Sequence, residues 1–129
     1  IIQLIPSLWK RHGREDAVLY GIILANINSD LLSENIWIFF ANSLRKKEPA
    51  DDIIAVCEEL IKAGHKFPDI KTLEYIFNMN KVSQQYVLFI TFQKYKKNIQ
   101  LSEEEIELIK RCPANNDLSN RIKSRLINN

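Results

Sequence analysis

Few residues in this chain are spaced to do chemistry. Ser102-Glu103-Glu104-Glu105 sets three carboxylates in a row, His12 and His65 stand alone, and Cys57 and Cys112 have no nearby partner motif. Paired carboxylates can divide general acid and base work when their surroundings hold their pKa values apart. A serine directly before a run of acids has a simpler use. It caps a helix, and acids in the first turn complement the positive end of the helix dipole. No His, Cys or Asp spacing matches a metal site. The thiols fall where helical patterns bury them or end, as inert cysteines of a reducing compartment do, which points to cytoplasm or mitochondrion. There is no glycine-rich phosphate loop, no GxSxG and no Cys–His pair in context. Three glycines in 129 residues leave little material for active-site loops. The expectation is a non-enzyme with no catalytic residue, metal or cofactor.

Candidate binding residues are mostly basic. They cluster as Lys10, Arg11, His12 and Arg14, then Arg45, Lys46 and Lys47, then Lys81, then Lys110 and Arg111. Set at equal places in a repeat, they would line one edge and track phosphates. Cations at helix C-termini are also favoured by the dipole alone. A second cluster puts Lys94, Lys96 and Lys97 around Tyr95, an interleaving that can stack bases or simply solvate a helix face. The net charge of +2 gives no strong pull towards nucleic acid or membrane. The apolar run Ile36–Phe40 falls far short of the roughly 18 residues of a membrane span.

The elements that must position these residues repeat. Leu32-Ser33-Glu34, Phe67-Pro68-Asp69 and Leu101-Ser102-Glu103 are each apolar, then Ser or Pro, then acidic, and each opens a new apolar-periodic run. That is a helix start signal. At the same offset Val18, Ile22 and Ala25 fall on Ile53, Cys57 and Leu60, then on Leu88, Phe92 and Tyr95. A period of 34–35 residues carrying two helices marks a helical repeat. Helices are expected at 1–12, 15–28, 34–46, 50–63, 70–80, 83–97, 103–111 and 115–127. Gly64 fits the position past a helix end that needs positive φ. No stretch alternates as a strand does. The expected fold is all-α: antiparallel helix pairs stacked as a short right-handed α-solenoid. About four two-helix repeats are expected, at 1–33, 34–68, 69–102 and 103–129, in one domain over 1–129. The last helix keeps a narrow stripe of Leu118, Ile122 and Leu126, as a polar-faced cap does. The chain is therefore expected to be the C-terminal part of a longer array.

The second unit, running from Asn35 through "EELIKAG" to Pro68-Asp69, resembles a pentatricopeptide repeat, with the tetratricopeptide repeat as near neighbour. The resemblance covers about 34–103. It implies binding of single-stranded RNA, one base per repeat, often in organelles, read by a residue near the fifth position and one at the last position of each unit. The last positions are Glu34, Asp69 and Glu103. The fifth positions are Phe39, Glu74 and Leu108, or Phe40, Tyr75 and Ile109 one residue on. The family prefers Asn, Ser or Thr there.

Two functions follow as expectations. The first is a non-catalytic recognition module or scaffold that grips a protein or peptide on its concave face. It would use Asn42, Arg45, Lys46, Lys47, Asn78, Lys81, Lys110 and Arg111. The second is a single-stranded RNA-binding module of pentatricopeptide type. Near-neutral charge and bulky or acidic fifth positions favour the protein partner.

Overall fold

A computed structural model of the chain describes residues 14–26, 35–114 and 116–128, and it is helical. Seven helices are seen among the described residues: α1 (Arg14–Ala25), α2 (Ile36–Ser43), α3 (Ala50–Lys62), α4 (Ile70–Phe77), α5 (Lys81–Lys96), α6 (Glu103–Arg111) and α7 (Asp117–Ile127). No strand occurs among them. The expected helix at 1–12 and residues 27–34, with Glu34, lie outside the described residues. So do Lys10, Arg11 and His12.

The caps follow the spacing of the sequence. Asn35, Asp69 and Ser102 are the N-caps of α2, α4 and α6, and each side-chain oxygen accepts a backbone N–H of the first turn. At α6 the cap is reciprocal: Ser102 accepts from the Glu105 N–H, and Glu105 reaches back to the Ser102 N–H at 2.9 Å. The longer helices α3 and α5 end alike. Gly64 (φ 92°) and Asn98 (φ 61°), 34 positions apart, both take the left-handed conformation just past the helix. Behind each, a backbone N–H returns across the last turn, His65 to the Leu60 carbonyl and Ile99 to the Lys94 carbonyl. This is the geometry that satisfies the last carbonyls of a helix, and only residues tolerant of positive φ fit it.

Several boundaries differ from expectation for local reasons. Helix α2 stops at Ser43, not 46. Leu44 turns extended, and the Glu48 carboxylate takes the Arg45 N–H at 2.9 Å, closing a loop before Pro49. A residue ahead of proline avoids the helical region. Helix α4 stops at Phe77 rather than 80, because Asn80 is already the extended N-cap of α5 and accepts from the Ser83 N–H. Asn116 does the same for α7, which starts at Asp117 rather than 115. Asp69 is itself an N-cap, whereas Glu103 is the first residue of its helix, so the acidic triplets are out of register by one. The face expected on α1 also turns: Ile22 is 42% exposed, while Ala17, Tyr20, Leu24 and Ala25 are buried.

The chain divides at the Phe67-Pro68-Asp69 joint into two compact units, 1–66 and 67–129. In the first, α1 packs on α3 at close range. A Cβ at Gly21 would stand 3.1 Å from Glu59 Cβ and 3.3 Å from Val56 Cα, so glycine sets the approach. Tyr20 meets the Phe40 ring at 5.5 Å and donates to Ser43 Oγ at 3.2 Å. The segment after α3 is pinned twice. His65 Nε2 lies 2.6 Å from the Ala25 carbonyl, and Trp37 Nε1–H donates to the Lys66 carbonyl at 2.9 Å.

In the second unit α5 is the central helix and touches α4, α6 and α7, while α4 also meets α6, and α6 meets α7. Tyr86, Val87, Leu88, Phe89 and Ile90 of α5 are all buried, which follows from a helix covered on several sides. Lys94 of α5 pairs with the buried Glu105 of α6 at 2.9 Å. Lys123 of α7 donates to the Lys110 and Cys112 carbonyls at 2.9 and 2.7 Å, capping the end of α6. Ile122 and Leu126 of α7 are buried and Leu118 half-buried, the narrow stripe read from the sequence.

Candidate binding groove

One surface feature of the second unit lies along α4 and α6. An open groove of ≈ 340 Å³ runs there, lined by Glu74, Glu103, Glu104, Glu107, Leu108 and Arg111. Each helix buries one stripe and presents the other. On α4, Leu73, Ile76 and Phe77 are buried, while Lys71, Glu74, Tyr75 and Asn78 are exposed at i, i+3, i+4 and i+7. On α6, Glu105, Leu108 and Ile109 are buried, while Glu104, Glu107 and Arg111 are exposed at i, i+3 and i+7. The Arg111 guanidinium lies over the Phe77 ring, 4.8 Å from its centroid, and ties the ends of the two helices together. Lys110 stands 3.7 Å from Glu107.

The groove gathers Glu74 and Leu108, two of the fifth positions implied by the pentatricopeptide resemblance, and Glu103, one of its last positions. Tyr75, the shifted fifth position, is 60% exposed beside Glu74. Asp69 is exposed and caps α4. Its carboxyl is held below the usual aspartate range, chiefly by the Thr72 backbone N–H, then by the Thr72 side chain and the Lys71 charge. Asp69 is thus committed to its helix.

The basic residues do not share one structural place. Arg45, Lys46 and Lys47 are exposed in the loop after α2, with Arg45 bonded to Glu48. Lys81 is the first residue of α5, and Lys110 and Arg111 lie in the last turn of α6. Asn42 is exposed on α2 and Asn78 is the C-cap of α4. In the FQKYKKN stretch, Lys94 is engaged by Glu105, and Lys96 Nζ sits 5.4 Å from the centroid of Phe92, which stacks on Tyr95 at 6.3 Å.

Sequence reasoning passed over Glu104 and Glu107 as binding residues, reading the acidic run as a cap. The i, i+3, i+7 spacing of Glu104, Glu107 and Arg111 was the signal for an outward stripe. The cap reading itself holds for Glu105. Cys57 and Cys112 are buried, and burial pushes the Cys57 thiol pKa up strongly and that of Cys112 to about 12. Burial likewise raises the Tyr20 phenol to about 12. Among the described residues no three His, Cys, Asp or Glu converge as a metal site, and no helix is long and apolar enough to cross a membrane. No protein-family model, curated protein or solved structure matches the chain.

Proposed function

We propose that this chain is a non-catalytic helical-repeat recognition module whose first helices present a binding face to a protein or peptide. In this reading its helix pairs stack as a right-handed α-solenoid of about four repeats, in the pentatricopeptide or tetratricopeptide manner. One observation carries the reading. Caps recur at Asn35, Asp69 and Ser102, helix ends recur at Gly64 and Asn98, and Glu74 of α4 and Leu108 of α6, at matching first-helix positions, line one groove. Repeat arrays of this kind recognise partners along such a face.

The chemistry of the groove favours protein over RNA. Glu74, at a fifth position where a base reader needs Asn, Ser or Thr, repels phosphates and cannot donate to a base edge when ionised. Within the second unit, Lys81 opens α5 while Lys110 and Arg111 close α6, so these cations do not recur at one place in their helices. Selection from a random peptide library, followed by amide exchange, tests the reading. Bound peptides are expected to protect α4 and α6. A library that yields no binder, beside tight binding of single-stranded RNA, would overturn it.

A further inference from the structure

We infer that the α4–α6 groove docks a Lys- or Arg-rich protein segment that also inserts an apolar side chain against its floor. The inference rests on the protein-recognition reading and adds the chemistry of the partner.

The floor is apolar, formed around buried Leu108, and the walls carry Glu74 on α4 and Glu103, Glu104 and Glu107 on α6. Helix stability accounts for only part of this acidity. Glu103 and Glu104 complement the start of α6, where acids are favoured. Glu74 has no such duty, since it stands in the last turn of α4, where the dipole disfavours a negative charge and that turn carries no basic residue of its own. Arg111, the one cation of the lining, is laid on the Phe77 ring. An arriving Lys or Arg therefore meets carboxylates from both helices. A phosphate backbone or an acidic peptide meets four carboxylates, with Arg111 and the Lys110 paired to Glu107 as the nearby cations. A metal ion is not the occupant, because no three ligands converge among the described residues.

Fluorescence anisotropy with a labelled peptide repeating Lys-Lys-Leu, at roughly 0.15 M salt, tests this against its Glu-Glu-Leu counterpart. The basic peptide should bind and the acidic one should not. The double change Glu74→Gln with Glu104→Gln should weaken binding about fivefold, as two exposed charge contacts are lost. A charge-matched control, Asp51→Asn with Glu58→Gln on α3, should leave it within about twofold. All four side chains are exposed, and circular dichroism confirms that both variants stay helical. Equal weakening by the two doubles shows diffuse attraction and overturns the inference, as does no weakening by the groove pair. Should Lys-Lys-Leu fail while library-selected peptides still protect α4 and α6, the groove chemistry falls and the recognition reading stands. Tight binding of single-stranded RNA removes both.

Discussion

At the scale of single residues, the sharpest constraints are steric and electrostatic. Gly64 was legible in the sequence because a glycine after an amphipathic run with Lys62 in its last turn is a helix-end signal, and its φ of 92° bears that out. Space for a side chain exists there, since a Cβ would meet nothing within 4 Å, so backbone strain alone sets the cost. Gly64→Val should therefore lower stability by about 1–2 kcal/mol in a denaturant melt. Gly21 is the opposite case. Its φ is unremarkable, and the constraint is the Val56 backbone and Glu59 of α3, which no local pattern announces. Gly21→Leu should cost about 1–3 kcal/mol by forcing α1 off α3, read by the same melt. The two thiols, buried and with raised pKa values, should give no fast reaction with a disulfide reagent at neutral pH and full reaction once unfolded. A rapid native thiol would contradict their burial. For Asp69 the depressed carboxyl fixes the sign of a pH effect. Its contribution is present above the ordinary aspartate value of about 3.9 and is lost as pH falls through the lower folded value. Wild type should therefore lose its margin over Asp69→Asn across that acid window.

At the scale of elements, the helices were largely legible and their ends were not. Start signals, prolines and the recurring apolar runs located every described helix, and a one-sided face left a clear trace in α3. The ends depend on one or two polar atoms, and the competition among them is invisible in periodicity. Lys81 reads as the tail of a first helix until the Asn80 side chain is seen to cap α5. Arg45, Lys46 and Lys47 read as a helix end until Glu48 is seen to hold the loop. The acidic run 103–105 shows both outcomes in three residues: Glu105 turns inward to the cap and to Lys94, while Glu103 and Glu104 face the groove. Ser102→Ala removes half of a reciprocal cap, and should cost about 1 kcal/mol in a melt without changing the helical spectrum at low temperature. Arg111→Gln should cost about 0.5–1 kcal/mol through the lost contact with the Phe77 ring.

At the scale of the whole molecule, the repeat is the idea that joins the sequence to a function. Triplets, caps and helix ends recur near 34 residues, yet the second helices differ in length, 13 residues in α3, 16 in α5 and 11 in α7. On the proposed repeat reading the joints are kept, because they fix where each pair begins, while the faces drift. That drift is why Ile22 was misassigned by simple offset, and why the groove was legible only in part. Glu74, Glu103 and Leu108 could be named from their repeat positions, but not that α4 and α6 would bring them to one lining. The central claim is that this face reads protein and not nucleic acid. Titration of the wild-type chain with a pool of single-stranded RNA at physiological salt tests it most directly. The account predicts no saturable binding at micromolar concentrations and no difference on changing Arg45, Lys46 and Lys47 together to Gln. Sub-micromolar binding, with a log–log salt slope that flattens by roughly 0.7 for each of those cations removed, would contradict it.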